Sequence, residues 1–298
     1  MLDKVLKRIM KYTNWNEYEL FILDNDSTPS NKKIINKYLS QYQHIKIISS
    51  SFNQIAEIQN QAIREIKSDI YIKVDDDILV SENWTKPFIN VYERNWKTMS
   101  IGSVIIPING FSWVPFMEIY GCMKSFKKAF PKEELRQSCT DSAVYKNEKV
   151  AEFLWNNCLN VNSSAKRFIK VQNNTYKDIF CPHRYSIGAI IFSHQLWEKM
   201  GGWKVDSSYR FKKNIGNSAL HLLKKVRRKN DLQRTERSIK SILSLDVSLL
   251  GLEEEEVYNY SIENSLSIPI TTEGIVFHFS FYPTEQYLMN TVFDKIQF

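Results

Sequence analysis

A short β-prone run that ends in three consecutive aspartates constrains the fold more than any other stretch of the chain. The run covers Ile70 to Val74, and Asp75, Asp76 and Asp77 follow it directly. Adjacent carboxylates repel one another, so a fold either leaves them in water or uses them. At the end of a buried strand they would face the crevice where open α/β sheets bind ligands. Hard oxygen ligands at that point suit Mg²⁺ or Mn²⁺ holding a diphosphate, and the alternative is a solvated acidic turn.

Ahead of the aspartates, predicted helices and strands alternate. The predicted order is an amphipathic helix at 2–12, a strand at 18–23, a helix at 31–42, a strand at 45–48 and a helix at 54–66. This alternation is typical of βαβ units, so we predict an α/β fold with a Rossmann-like, mostly parallel sheet flanked by helices. The strand that ends at Asp24 would then open onto the same edge of the sheet as Asp75.

The second half of the chain is less regular. Short strands are predicted at 101–108, 186–192 and 274–279. Residues 110–180 are rich in aromatic side chains, with short helical stretches and no clear period, which favours an irregular lid or acceptor insertion, although each aromatic residue taken alone fits a core position better. Residues 204–245 are predicted to be a basic helical insertion. Its helix would either lie on an anionic membrane or pack an apolar stripe on the core. We expect residues 1–298 to form a single domain that carries these two insertions.

Composition limits the classes of function. A chain of 298 residues with 43% hydrophobic residues can bury a large core, and its net charge of +7 suits anionic partners. The basic cluster has few interleaved aromatic residues, so we expect no nucleic-acid partner. No apolar run is long enough to span a membrane, the amino terminus does not have the pattern of a signal peptide, and the four cysteines have no metal-binding spacing. We therefore expect a cytoplasmic protein, peripheral at the inner face of the membrane if the basic insertion binds lipid.

Four motifs then follow one another in a specific order. They are ELFILDNDST (Glu19 to Thr28), YIKVDDD (Tyr71 to Asp77), MGGW (Met200 to Trp203) and LGLEEEEVYNY (Leu250 to Tyr260), with VFHFSF (Val276 to Phe281) behind them. Together they resemble the glycosyltransferases of the GT-A fold, especially the family-2-like bacterial enzymes. The resemblance implies transfer of a sugar from a nucleotide-diphosphate donor, of the UDP or GDP type, to a hydroxyl group with Mn²⁺ or Mg²⁺. The implied acceptor is a glycan or lipid-linked glycan in the synthesis of a bacterial surface polysaccharide.

The same resemblance assigns roles to the acidic strand end. Asp75 and Asp77 would form the DxD motif, with Asp77 as the direct metal ligand and Asp75 facing the ribose or the water shell of the ion. Asp76 would lie against the nucleotide-sugar. His278 would complete the metal site, since imidazole suits Mn²⁺ as a third protein ligand, whereas a lone histidine on an apolar strand is usually a core residue.

Two further motifs would contact the donor. Asp24 would bind the base or ribose, while Asp26 or Ser27 caps the following helix. Gly202 would let the backbone approach the sugar or the acceptor, and Trp203 would either stack on a sugar ring or pack in the core.

The glutamates at 253–256 are the candidates for catalysis. An inverting transfer needs a carboxylate that deprotonates the acceptor hydroxyl. The family pattern points to Glu254 as this base, with Glu255 next. The alternative is an acidic helix start that the helix dipole favours.

One departure from the family concerns the first strand. Enzymes of this type open with a strand that cradles the nucleotide base, whereas this sequence starts at the helix that should follow it. We therefore expect an interrupted sheet, and a catalytically inactive binding relative is one alternative. A sugar nucleotidyltransferase is the other, but it needs a glycine-rich phosphate loop near the amino terminus, which this sequence lacks.

Overall fold

The computed structural model describes residues 1–51, 53–96, 101–138, 141–181, 185–205 and 252–297. The helices are α1 (Leu2–Tyr12), α2 (Pro29–Gln41), α3 (Ile55–Ile66), α4 (Thr85–Asn95), α5 (Trp113–Tyr120), α6 (Met123–Ala129), α7 (Ala143–Lys146), α8 (Glu148–Asn156), α9 (Val161–Val171), α10 (His194–Lys199), α11 (Leu252–Glu263) and α12 (Tyr282–Thr291). The strands are β1 (Leu20–Asn25), β2 (Ile45–Ser50), β3 (Ile70–Val74), β4 (Ile78–Leu79), β5 (Ile101–Ile105), β6 (Asp178–Cys181), β7 (Ala189–Ser193), β8 (Ile268–Ile275) and β9 (Phe277–His278).

The described strands form a five-stranded sheet, in the order β3-β7-β5-β8-β6, and two smaller pairs, β1-β2 and β4-β9. This arrangement confirms the predicted α/β class. The prediction of a mostly parallel sheet is wrong, because among the described strands only β5-β8 and β1-β2 are parallel pairs. The chain between β5 and β6 begins and ends at the same end of the sheet, so β6 runs in the direction opposite to β5. Because β8 is parallel to β5, β6 is antiparallel to its neighbour β8.

The central strands explain where the core lies. All residues of β5 and of β7 are buried, as expected for strands that are covered on both faces. By contrast, all five residues of β3 are only half-buried.

The sheet is interrupted between β1 and β3. Within the described part of the chain, β1 bonds only to β2 and β3 bonds only to β7, which matches the interruption expected from the sequence. Helices α1 and α3 connect the two parts. On α1, Val5 belongs to the main core and Leu6 to a small separate cluster. On α3, Ile63 belongs to the main core and Ile58 to a second small cluster.

The aromatic segment at 110–180 is built of short helices and is packed, so its large aromatic residues occupy the core positions that fit each of them best. Helices α5 to α9 occupy it, and its large side chains are buried in the same core as the sheet: Trp113, Phe116, Phe126, Trp155 and Phe168. The indole of Trp155 donates a hydrogen bond to the Phe279 carbonyl at 2.8 Å. The segment therefore extends the core.

A buried arginine fixes α1 beside the acidic strand end. Arg8 donates from Nε to the Val80 carbonyl and from Nη2 to Asn162 Oδ1, both at 2.5 Å, and its guanidinium lies 5.0 Å from the centre of the Tyr12 ring. Val80 follows β4 directly and Asn162 lies in α9. Arg8 therefore connects α1 both to α9 and to the segment that follows the three aspartates.

Three further expectations concern the cysteines, membrane-spanning helices and the basic insertion. Cys122 and Cys158 are buried, and burial raises the pKa of the Cys122 thiol to about 11, which fits unreactive structural thiols. None of the described helices combines the length and the apolar character needed to cross a bilayer. Almost all of the predicted basic insertion, from residue 206 on, lies outside the described residues.

Candidate active site

The three aspartates leave the end of β3 in a turn that its neighbours hold. The Asp75 N–H donates to the Gly188 carbonyl at 2.8 Å, and the Asp75 carbonyl accepts from the Ile78 N–H at 3.2 Å. Strand β4 then pairs with β9, with Ile78 opposite His278. This pairing brings together two residues that are 201 positions apart, Asp77 and His278.

Asp77 and His278 form the central contact of the site. Asp77 Oδ2 lies 3.0 Å from His278 Nε2, and His278 Nδ1 lies 3.2 Å from the Ile108 carbonyl. The histidine is only 8% exposed. Since a carbonyl oxygen can only accept, Nδ1 carries a proton, and Nε2 is the atom that faces the carboxylate.

The electrostatics of the site reflect the crowded carboxylates. Burial lowers the pKa of His278, but the charge and hydrogen bond of Asp77, the charge of Asp75 and the Ile108 carbonyl outweigh burial, so the net shift is upward. The pKa of Asp76 is also raised. Although its side chain reaches the surface, desolvation by the surrounding protein raises its pKa, and the charges of Asp77 and Asp75 add to this effect.

Lys73 is a member of the site that the sequence analysis missed. Its Nζ lies 2.6 Å from Asp75 Oδ1 and 2.8 Å from the Ile187 carbonyl. The signal was present in the sequence, because residues two positions apart on a strand share a face. A lysine two positions before an aspartate at a strand end is therefore placed to pair with it.

The donor atoms of Asp77 and His278 fit a divalent cation. Two neighbouring ligands of an octahedral cation at ~2.1 Å lie about 3 Å apart, which is the separation observed between Oδ2 and Nε2. Among the described residues, no group of three or more His, Cys, Asp or Glu side chains is arranged to hold a metal ion. Two protein ligands would leave the other positions of such a cation to phosphates and water, as is usual for Mg²⁺.

Asp24 closes its own turn. It is 5% exposed, and its Oδ1 accepts from the Ser27 N–H at 2.9 Å. The cap of α2 is Thr28, whose Oγ1 accepts from the Asn31 N–H at 3.3 Å. The prediction that Asp26 or Ser27 caps this helix is wrong, because Pro29 at the start of the helix moves the capping position to Thr28.

The MGGW motif serves the core. Gly201 and Gly202 have φ values of 76° and 81°, which favour glycine. Trp203 is 2% exposed and meets the Phe192 ring edge-on at 5.4 Å. Its ring therefore belongs to the core, the alternative left open by the sequence, and offers no exposed surface for stacking on a sugar.

Asn60 holds that motif in place and was also missed. Its Oδ1 accepts from the Trp203 N–H at 2.8 Å and from Trp197 Nε1 at 2.9 Å, and its Nδ2 donates to the Trp203 carbonyl at 2.7 Å. A Cβ atom on Gly202 would lie 3.2 Å from Asn60 Oδ1. The second glycine thus makes room for this amide.

The candidate base is placed only through its backbone. Glu254 and Glu255 lie in the first turn of α11, so the predicted helix start is confirmed, but their side chains lie outside the described residues. Glu256 is the first side chain of the glutamate run that the structure describes, and its Oε1 lies 3.9 Å from Lys204 Nζ.

Comparison with known proteins identifies the family. A model of the family described as glycosyl transferase family 2 matches residues 1–154, just over half of the 298 residues. Curated proteins give no match. Among solved structures, a mannosyltransferase from Pyrobaculum calidifontis in complex with GDP-Man and Mn²⁺ matches with 12% identity and a TM-score of 0.38. That match covers 71% of this chain and 47% of the other, so this chain spans about half the length of that protein. On the strength of the family model, which confirms the resemblance carried by the sequence motifs, the chain belongs to glycosyl transferase family 2.

Proposed function

We propose that this chain transfers a sugar from a nucleotide-diphosphate donor to a hydroxyl group, with Mg²⁺ or Mn²⁺ at the acidic end of β3. The observation that carries the proposal is the contact of Asp77 Oδ2 with His278 Nε2 at 3.0 Å. It unites the YIKVDDD motif and the VFHFSF motif in one site with the donor atoms of a divalent cation.

Each residue of the site has a part in donor binding. Asp77 and His278 would hold the cation, which when bound stabilises the negative charge that develops on the departing diphosphate. Asp75, which is 40% exposed at its side chain, would face the ribose or the water shell of the cation. Asp76 would lie towards the donor, and Asp24 would contact the base or ribose through its second carboxylate oxygen.

The chemical step needs a base on the acceptor side. We assign this role to Glu254, with Glu255 as the neighbouring candidate, because α11 begins at Leu252 and places both glutamates in its first turn. A base that deprotonates the acceptor hydroxyl opposite the leaving diphosphate gives inversion at the anomeric carbon.

The helices of residues 110–180 supply the acceptor side in this proposal. The Tyr145 ring lies 4.0 Å from the Phe281 ring, which lies 4.3 Å from the His278 ring. These ring contacts connect α7 to the candidate cation site. They are the observation that supports a role of residues 110–180 as a lid. The acceptor we propose is a bacterial surface glycan, free or lipid-linked, and the net charge of +7 suits a peripheral position at an anionic membrane.

The first test is a thermal-shift panel of UDP, GDP, CDP and dTDP, each with and without Mn²⁺. A ligand that binds the folded state raises the melting temperature by mass action. We expect one nucleotide to raise it only in the presence of Mn²⁺, and Asp77→Ala to abolish the shift.

Asp294→Ala is the matched control, because Asp294 is exposed in the short helical turn after α12. This variant should keep the shift of the unmodified chain. No shift with any nucleotide would contradict the proposal and would favour a binding relative without activity.

A further inference from the structure

The two carboxylates of the DxD motif have different partners. Asp77 is paired with an imidazole, whereas Asp75 is paired with the ammonium group of Lys73 at 2.6 Å. Lys73 also donates to the Ile187 carbonyl at 2.8 Å, and only 15% of its side chain is exposed. A shielded ammonium needs acceptors of this kind, because burying a charge without partners is costly.

The pairing engages one oxygen of Asp75. Its Oδ1 is bonded to Lys73, and its Oδ2 lies beside Gly188, which has no side chain to restrict it. Its backbone is held by the Gly188 carbonyl at 2.8 Å. The carboxylate is therefore held through one oxygen and carries a compensated charge.

We propose that Lys73 compensates the charge of Asp75 beside the cation, so that Asp77 and His278 are the protein ligands and Asp75 stays outside the coordination shell. The inference rests on the proposed function and deepens it. In this arrangement the charge of Lys73 cancels that of Asp75 at the cation site. Asp75 then acts on the donor as a hydrogen-bond acceptor. The cation is attracted only by the net charge of Lys73 and Asp75 together.

A double-mutant cycle on the full chain tests the assignment through Mn²⁺ affinity without nucleotide, measured by electron paramagnetic resonance of free Mn²⁺. Lys73→Met removes a nearby positive charge and should tighten Mn²⁺ binding about tenfold. Asp75→Asn should weaken it by a similar factor, and the double variant should return to within about threefold of the unmodified chain. Lys73→Arg should keep the unmodified affinity, because it keeps the charge.

The possible results distinguish a failure of the role given to Lys73 from a failure of the proposed metal dependence. If Asp75→Asn costs more than about a hundredfold and the double variant does not recover, Asp75 is a direct ligand and the inference is overturned. An unchanged affinity in Lys73→Met would also overturn it. If the unmodified chain binds no Mn²⁺, the proposed metal dependence itself fails and this inference fails with it.

Two controls keep the cycle interpretable. Lys132→Met removes the same charge from an exposed position and should leave Mn²⁺ affinity unchanged, which excludes an effect of net charge alone. Asp75→Asn preserves the shape of the side chain and Lys73→Arg preserves its charge. Both variants therefore still allow Mn²⁺ affinity to be measured if Lys73→Met fails to fold. Asp75→Asn with unchanged affinity would then contradict the inference.

Discussion

The residue proposed as the base, Glu254, is the first to test. Glu254→Gln removes the carboxylate of the proposed base but keeps the shape of the side chain, so turnover should fall by about 10²–10⁴-fold. Donor binding should survive, because in the proposed site the aspartates at the end of β3 hold the donor. Rate assays combined with nucleotide thermal shifts measure the two effects separately.

Glu263→Gln is the control for this prediction. It lies at the carboxyl end of the same helix and is exposed, so it should leave turnover unchanged. Full turnover in Glu254→Gln would refute the assignment, and Glu255→Gln would then be made in the same assay.

At the residue scale, the sequence predicted side chains whose motif has a local signature. The aspartates at 75–77 and His278 were predicted, because strand ends and short motifs are visible along the chain. Lys73 and Asn60 were missed for different reasons. The pairing of Lys73 follows from strand alternation alone, whereas the role of Asn60 depends on a contact with Trp203, 143 positions away, which no local pattern contains.

At the scale of elements, one ionic cluster locks α4 to the edge of the sheet. Arg94 Nη2 lies 2.7 Å from Asp178 Oδ1 on β6, and Nη1 lies 2.5 Å from Glu273 Oε1 on β8. Burial raises the pKa of Asp178, but the hydrogen bonds of Arg94 and Asn95 and the charge of Arg94 outweigh it, so its pKa is lowered. The folded state thus favours the ionised carboxylate.

Asp178→Asn should therefore lower the free energy of unfolding by ~1–3 kcal/mol at neutral pH. A depressed folded-state pKa gives stability that is complete above the unfolded value, about 3.9 for Asp, and that is lost as the pH falls through the folded value. The difference between the two proteins should stay constant from about pH 7 to 5 and shrink below about pH 4. Urea unfolding at each pH measures it.

The exposed pair of Glu19 and Lys46, 2.8 Å apart, provides the comparison for this prediction. Glu19→Gln should change stability by less than about 1 kcal/mol, as exposed ion pairs contribute little. A cost of Asp178→Asn that does not vary with pH would contradict the ionic explanation.

The elements also show which structural features a sequence can predict. In the first part of the chain, helices with a clear period and strands with turn residues at their ends were predicted close to their observed bounds, whereas the strand predicted at 274–279 is the end of β8 followed by β9. The direction of strands was not, because β6 and β7 enter the sheet after five packed helices whose path no local pattern encodes. Helix α5 gave no period for a related reason, since most of its residues are buried and a helix buried on several sides needs apolar residues all round.

At the scale of the whole molecule, the interruption between β1 and β3 divides stability unequally. In the part of the chain that the structure describes, two small clusters of buried side chains support the layer of β1, β2 and α2. They are formed by Leu6, Tyr38 and Ile45 and by Ile48, Ile58 and Ala62. The five-stranded sheet shares the large core. Local opening requires less free energy where fewer apolar contacts are broken.

Native-state hydrogen exchange should therefore show the amides of β2 opening at a free energy at least ~2 kcal/mol below that of β5 and β7. Two neighbouring residues of α1 give a matched pair of variants, since Leu6 belongs to the small layer and Val5 to the main core. Leu6→Ala should speed exchange in β2 and leave β7 nearly unchanged, whereas Val5→Ala should speed exchange in β7 as well. Equal opening free energies in β2 and β7 would mean that α1 and α3 couple both parts into one cooperative unit, despite the interrupted sheet.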